Sequence, residues 1–530
     1  MASTTSIPVW RQVGASPFPD AERVRLETVI VGAGPVGLTL ALALGRLGRR
    51  VTVLSRLDFV PAGSKAICFS KRTLDIWDRL GVGADMLAGG VVWSLGKVFW
   101  GDREEPVYEF DMLPVKDQKM PGFINLQQYH AEEVLLSALS KLENVEIRWG
   151  HEVIGIDPRA DGADLKVSAA GREYAIEADW VAACDGFRST IRSLLGLAFE
   201  GRVFEDNFLI ADVKVKVPRP TERWFWFDPP FNPGRSALMH KQPDDVWRLD
   251  FQLGWDIDRE ACVKPENVAP FVRGLLGEGV EFTPEWYSVY TFQCRRMARF
   301  VHGRVIFAGD SAHVVSPFGA RGCNGGVADA ENLAWKLDLV LSGAASAALL
   351  ESYNDEAITA ADENIRCSSR STDFMTPKSE VGHAFRDAVL ELAHDHSFAR
   401  PFVNSGRLST PVSYPDSVLN TADGDGERWR GPAPGCPPLD GPLGSGWLLE
   451  RVGNGFVVLA NGWRGAAPCG ATVLDVAETD EVPDLLIERW DLTPGSAYLI
   501  RPDQYVAARW RKPSAEEVDR AILRAKGRQS

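Results

Sequence analysis

Residues 1–26 form a mixed polar arm with no visible apolar period. The pattern changes at 27–31, ETVIV, a short β-branched run that reads as a buried strand. Residues 38–47 are almost wholly apolar and stop before Gly48, as a buried helix does, and a second strand is predicted over 50–54. The strand signature returns at 180–184 (WVAAC), with a helix over 189–195, and again at 305–308 (VIFA). A long helix is predicted from near Val327, with Leu333, Ala334, Leu337 and Leu341 on one face. Between the last two strand signals the period shortens to two. RWFWF (223–227), SALMHK (236–241) and DVWRLDFQL (245–253) alternate as a half-buried antiparallel sheet should. Residues 421–446 are dense in Gly, Pro and Asp and predict a linker. Beyond them GFVVLAN and SAYLIRPDQYVAARW give strands. PSAEEVDRAILRAKG gives a closing helix with Ser514 as cap, Glu517 completing the capping box and Gly527 past its end. The elements add up to an α/β protein with an inserted antiparallel sheet.

The first strand runs into Gly32, Gly34 and Gly37, spaced G-x-G-x-x-G, and then into the first helix. In that setting the first Gly permits a tight turn, the second admits a pyrophosphate to the backbone and the third lets helix and strand pack closely. The phosphates would meet the free N–H groups at the helix N-terminus. Nucleotide binding is therefore expected. One position departs from the pattern: the second strand ends in Ser55 rather than the usual Asp or Glu for the ribose hydroxyls. Ser55 offers one hydroxyl, with Arg56 covering the adenine or phosphates, so a loosened adenosine end is expected. Two further segments interrupt the α/β pattern with glycine. Asp185-Gly186 turns the chain after 180–184. Gly309-Asp310 opens a loop stiffened by Pro317 and running through Gly319, Gly322, Gly325 and Gly326 into a helix, a second place to hold an anion.

Composition narrows the classes. At 530 residues the prior is about three or four domains. An apolar content of 45% and a charged content of 25% are ordinary for a globular chain, and a net charge of −14 argues against a nucleic-acid partner. No run approaches ~18 apolar residues, so no membrane span is predicted, and the N-terminus lacks a signal-peptide pattern. The eight cysteines form no C-x-x-C, which points to reduced thiols in a cytoplasmic protein. His394 and His396 form a close pair read as helix-flank surface residues, and no metal is assigned.

The three glycine segments in this order resemble the fingerprint of the class A flavoprotein monooxygenases, the group built on the para-hydroxybenzoate hydroxylase fold. GAGPVG is similar to its dinucleotide motif, ACDGFRSTIR to its DG motif, and GDSAHVVSPFGARGCNGGVADAENLAWKL to its GD motif with the following helix. INLQQYHAEEVL resembles the family's Gln-containing helix, and SKAICFSKRTLDIWDRLG the segment that lines the flavin, with Lys65 where Arg is more usual. The resemblance covers roughly 25–420, and the tail resembles that of the phenol and aryl-propionate hydroxylases. It implies a Rossmann-like, glutathione-reductase-type FAD domain (27–100 with 125–200 and 295–385). It further implies a substrate-binding sheet domain (101–124 with 201–294), connecting helices (386–420) and a thioredoxin-like domain (447–530).

The resemblance further implies FAD, NAD(P)H and O2. A nicotinamide reduces the flavin, and oxygen then gives a C4a-hydroperoxyflavin that hydroxylates a phenolic ring. No second G-x-G-x-x-G is present, in keeping with a reductant that docks transiently. The alternatives are a tailoring hydroxylase of a polycyclic phenol and a flavoprotein oxidase that does not hydroxylate. Implied cofactor residues are Gly32, Gly34, Pro35, Val36, Gly37, Ser55, Arg56, Lys65, Ala66, Gln128, Val153, Asp185, Gly186, Asp310, Pro317, Gly322, Cys323 and Asn324. Trp226, His240 and Arg248 are candidates for the substrate pocket, each also readable as core or solvent-side, together with Pro317 and Ile67. Ile67 falls where phenol hydroxylases carry an acidic residue, so no catalytic residue is assigned. Cys436 and Cys469 point to packing or a homodimer contact rather than redox work.

Overall fold

The computed structural model describes residues 9–63, 66–113, 115–403, 410–424, 427–466, 468–478 and 484–528. The β-branched runs pair side by side. Val145–Trp149, Val51–Ser55, Arg23–Val31, Arg172–Ala183 and Val305–Phe307 are mutually parallel neighbours in that order. The antiparallel strands Ala163–Ala169 and His151–Pro158 continue the sheet from Arg172–Ala183. The first strand begins earlier than its apolar run because Arg23 to Leu26 still pair with Ala175 to Ala178 at the half-exposed rim. Parallel pairing has one consequence for function: Val31, Ser55, Ala183 and Phe307 all end at the same edge of the sheet, where ligands of such sheets bind.

Two helices, Pro35–Arg46 and Gly322–Leu341, cross that edge. The second starts at Gly322, not near Val327. The glycines that look like loop residues form its first turns, with Gly325 N–H donating to the Arg321 carbonyl. Packing overrides their poor helix propensity, since a Cβ on Gly326 would lie 2.5 Å from Val36 Cγ2.

The period-two segments form a second, eight-stranded sheet, which also takes Leu95–Trp100 and Tyr108–Asp111 at one end and His313–Val314 at the other. One face packs Trp226, Trp247 and Phe251 against Val268 and Val272 of the helix Pro265–Leu276. The other face looks toward the parallel sheet's ligand edge.

At the C-terminus Ala471–Asp475, Phe456–Ala460, Ala497–Ile500 and Val506–Trp510 form a four-stranded sheet, and the helix Ala515–Ala525 carries the Ser514/Glu517 capping box. The described residues of the 421–446 stretch are irregular apart from Pro442–Leu443, which pairs with Gly446–Trp447, and they lie against this sheet. Thr421 and Gly435 donate backbone bonds to Ala507 and Val506, and Arg509 forms a two-point ion pair with Asp423. Among the described residues no helix is long and apolar enough to cross a membrane.

Candidate active site

A cavity of about 580 Å3 runs from the Gly32–Gly34 turn, past the ends of the parallel strands, to the inner face of the second sheet. Its first end is made of backbone. Gly32 has φ +114°, and a Cβ there would lie 2.3 Å from the Cys184 carbonyl oxygen; on Gly37 it would lie 2.0 Å from the Gly32 carbonyl oxygen. Both glycines are required by the protein's own packing. Gly34 differs, because nothing lies within 4 Å of its would-be Cβ. It is the N-cap of a helix that starts at Pro35 with no side-chain cap, so first-turn N–H groups are left for a ligand.

The DG and GD segments are joined at the cavity's middle. Arg192 donates to the carbonyls of Ser311 (2.7 Å) and Phe187 (2.6 Å), and Ser311 Oγ donates to the Ala183 carbonyl (2.6 Å). Asp185 accepts from Ile191 N–H through Oδ2, while its Oδ1 is buried without a partner beside the cavity. Gly309 takes φ +65°, with its N–H held by Asp329, which also pairs with His313 Nε2 at 2.6 Å. Asp310 is thereby fixed at the cavity wall.

The far end is a row of polar side chains on one face of the antiparallel sheet. Arg223 is opposite His240, His240 opposite Arg248, and Arg248 opposite Asp212. Arg248 binds Asp212 through two bonds of 2.7 Å, Nε to Oδ1 and Nη2 to Oδ2. His240 lies 3.9 Å from both Cys68 Sγ and Asp250 Oδ2, beyond a good hydrogen bond. Burial, then the Arg223 and Arg248 charges, hold its imidazole well below the usual value, so it is neutral. Burial pushes the Asp250 carboxyl up to about 6, although Arg248 opposes the shift. Asp250 Oδ1 has no partner.

The geometry describes a dinucleotide turn opening into a chamber with polar walls. Residues 25–368 match the protein-family model described as FAD binding domain. The chain belongs to that family. It is 33% identical over 349 residues to the probable NADH-specific resorcinol 4-hydroxylase of Rhodococcus jostii, covering 64% of this chain but only 63% of that relative. It is 30% identical over 435 residues to the 3-(3-hydroxy-phenyl)propionate/3-hydroxycinnamic acid hydroxylase of Comamonas testosteroni, covering 81% of this chain and 70% of that protein. The fold is that of the flavin-dependent monooxygenase PieE solved with FAD and substrate, with a TM-score of 0.79 over 96% of this chain and 100% of that one at 21% identity.

The walls of this FAD-binding protein fit the cofactor: an open glycine cradle at Gly34, an uncapped helix N-terminus and an orphan buried carboxylate oxygen at Asp185. Of the residues marked from the sequence, Gly32, Gly34, Pro35, Val36, Ser55, Arg56, Ala66, Gln128, Val153, Asp185, Gly186, Asp310, Pro317, Gly322, Cys323 and Asn324 all line the cavity. Gly37 sits beneath it, and Lys65 lies outside the described residues. Two side chains do something other than face a ligand. Asn324 clamps the wall, accepting from Ser70 N–H and Thr73 Oγ and donating to the Cys68 and Ala320 carbonyls. Ser55 Oγ is engaged with the Leu57 carbonyl (3.0 Å) and N–H (3.2 Å), so its hydroxyl is turned into the chain. Exposed Glu152 lines the cavity beside it.

Ile67, His240, Arg248 and Pro317 line the flavoprotein's cavity, but Trp226 does not. In a strand successive side chains face opposite sides, and the RWFWF run turns Arg223 inward while Trp224 and Trp226 point away. Trp226 stacks on Phe99, 5.4 Å between centroids, in the outer core. Trp226→Ala is therefore expected to destabilise the protein by about 3–5 kcal/mol and to leave phenol affinity unchanged, as thermal unfolding and titration of the flavin spectrum would show. The sequence reading missed Arg223, Asp250 and Cys68. A charged residue at the start of an apolar run, and Asp250 two places from Arg248 on the same face, were the available signals.

Proposed function

We propose that the chain is an FAD-dependent monooxygenase that hydroxylates a phenolic ring with O2, with NADH as the reductant favoured by its similarity to the NADH-specific relative. The observation that carries this reading is Asp250, a carboxylate with a free oxygen in the same cavity as the dinucleotide turn. Bound FAD would accept hydride from the nicotinamide and activate dioxygen. The protein's own groups do the rest. Gly34 and the first turn of Pro35–Arg46 would hold the pyrophosphate. The N–H groups of Gly322, Cys323 and Asn324, in the first turn of a helix that lines the cavity, would favour negative charge on the bound ring system. Phe208, Phe292 and Phe318 crowd the chamber and exclude water. Asp250 Oδ1 accepts the phenol proton, and a phenolate is the better nucleophile toward an electrophilic oxygen. His240, neutral and held only by a long contact to Cys68 Sγ, orients the hydroxyl. The C-terminal sheet, with its one parallel and two antiparallel pairings, is in keeping with a thioredoxin-like unit used for packing.

The test is turnover of the FAD-loaded protein with a panel of phenols. NADH consumption stimulated by a phenol and matched by hydroxylated product supports the proposal; hydrogen peroxide alone across the panel favours the oxidase reading. Asp250→Asn should lower kcat by roughly 10^2- to 10^3-fold with FAD retained. Because only ionised Asp250 accepts a proton, kcat/KM of the parent should fall as pH drops through about 6, and the Asn variant should lose that limb. An unchanged rate in Asp250→Asn would remove the residue from the mechanism.

A further inference from the structure

Gln504 holds a backbone conformation that its residue type rarely takes. Its φ is +67°, in the left-handed region that glycine enters freely, and the residue is 0% exposed. It sits in the turn between Ala497–Ile500 and Val506–Trp510. That turn is closed by Gln504 N–H donating to the Arg501 carbonyl and Arg501 N–H donating to the Tyr505 carbonyl, both at 2.8 Å. Glycine would suit this backbone better, so the amide is what the position gains from glutamine. Nε2 donates to the carbonyls of Leu449 (3.2 Å) and Val452 (3.1 Å), and Oε1 accepts from Arg72 Nη1 (2.7 Å). The other arm of Arg72, Nη2, donates to the Asp503 carbonyl (2.6 Å). Arg72 is itself 5% exposed and belongs to the family-matched part of the chain, whereas the turn lies outside it.

Arg72 lies in the first turn of the helix Lys71–Arg79, which follows directly on the strand Cys68–Ser70. Ala66, Ile67 and Cys68 line the cavity. The residues around Arg72 are tied to that wall. Ser70 N–H and Thr73 Oγ donate to Asn324 Oδ1 (2.9 and 2.6 Å), and Asn324, itself a cavity residue, donates to the Cys68 carbonyl (2.9 Å). At the other end of the helix Arg79 donates to the Gly453 carbonyl (3.2 Å) and pairs with Glu331 of Gly322–Leu341. The helix is therefore clamped at both ends between the cavity wall and the C-terminal part. Arg72, Asp503 and Gln504 do not line the cavity. We propose that the 501–505 turn is an abutment for the cofactor's wall: Gln504 and the Asp503 carbonyl hold Arg72, and Arg72 sets Ile67–Ser70 and Asn324 against bound FAD. These three are positioning residues, acting through a series of short buried bonds that passes a displacement at one end to the other. The C-terminal sheet thus has a task beyond packing. The proposal needs only FAD binding and stands whether or not the protein hydroxylates a phenol.

The experiment titrates FAD into the full-length apoprotein of the parent, Gln504→Gly, Arg72→Gln, Arg72→Lys and Arg509→Gln, below the unfolding temperature of each. Gln504→Gly relieves the backbone and deletes only the amide side chain. It and Arg72→Gln should each weaken FAD roughly tenfold and shift the absorbance maxima of the bound flavin. Arg72→Lys keeps a donor at the site and should recover part of both effects. Arg509→Gln breaks the two-point pair with Asp423 in the same sheet, away from Lys71–Arg79. It should lower the thermal midpoint yet leave FAD affinity within about twofold of the parent's and the flavin spectrum unchanged. Affinities and spectra like the parent's in Gln504→Gly and Arg72→Gln, or an equal loss in Arg509→Gln, would overturn the proposal and leave the contact as packing alone. Should neither Gln504→Gly nor Arg72→Gln fold, the parent decides. Coupling is reciprocal, so FAD should slow hydrogen exchange within 501–505 by a similar factor, and no slowing there would overturn the proposal.

Discussion

Replacing Gly37 with alanine should abolish folded holoprotein, whereas Gly34→Ala should give a folded protein that no longer holds FAD tightly. The two glycines belong to one motif but serve different masters. At Gly37 a Cβ would lie 2.0 Å from the Gly32 carbonyl oxygen and 3.3 Å from Cys184 Cβ. Neither neighbour is the free end of a flexible side chain, so helix Pro35–Arg46 must move off the sheet. Overpacking of an ordinary core costs about 1–3 kcal/mol, and here the helix it would displace lies on the central strand of the parallel sheet. At Gly34 the would-be methyl meets no protein atom. It stands where the pyrophosphate would approach the backbone, so the loss falls on cofactor affinity and leaves the apoprotein's thermal midpoint near the parent's. Circular dichroism with FAD titration separates the outcomes. Equal damage to folding by both substitutions would contradict the division.

Glu356→Gln should be the most damaging single change away from the cavity. Glu356 accepts from Lys336 Nζ (2.7 Å), Asn332 Nδ2 (2.8 Å), Ser417 Oγ (2.5 Å) and Arg501 Nη1 and Nη2 (2.6 and 2.9 Å). Arg501 in turn binds Asp503, which accepts from Trp335 Nε1. Lys336 and Glu356 come from helices of the FAD-binding part, and Arg501 and Asp503 from the C-terminal sheet region, so the cluster joins the two across a dry interface. Burial alone would raise the Glu356 carboxyl; the Arg501 and Lys336 charges outweigh it and hold the group well below the usual range. Removing one charge leaves its partners buried and short of a counter-ion, at a cost of about 3–5 kcal/mol. The expected fall in thermal midpoint is roughly 3–5 °C for a cooperative unit of this size. Glu351→Gln, at an exposed pair with Arg299, should shift stability by less than about 1 kcal/mol. The sign of the pH dependence follows from the depressed value: the Glu356 contribution is present above the unfolded-state value of about 4.3 and is lost as pH falls below it. The gap between parent and variant should therefore narrow in acid. A midpoint within about 1 degree (~1 kcal/mol) of the parent's would show that the cluster adds little.

Much of the nucleotide end could be read from the chain because its determinants are local. Gly32, Gly34, Gly37, Asp185-Gly186 and Gly309-Asp310 each follow a β-branched strand, and short-range sterics define what each turn can do. Ser55 shows the limit of that reading. Its place at the strand end and the engagement of its hydroxyl by Leu57 are local, but the presence of Glu152 in the same cavity depends on the separate strand His151–Pro158. The same limit governs Gly322 to Gly326, which look like loop and fold as helix because Val36 of another helix requires small residues there.

The sequence by itself determined the order of strands and helices, the glycine turns and the alternation of the inner sheet, since period and backbone sterics act within a few residues. Which face of that sheet looks inward was decided by the tertiary structure. A strand shows its two faces one residue apart, and nothing in RWFWF says which is wet, which is core and which is chamber. The packing of Trp226 and Trp247 on the helix Pro265–Leu276 turned Arg223, His240 and Asp250 toward the cavity. Pairing across three strands then set a buried guanidinium and a free carboxylate oxygen in one chamber. Those residues lie far apart along the chain, and their charges acquired meaning only when burial removed the water between them.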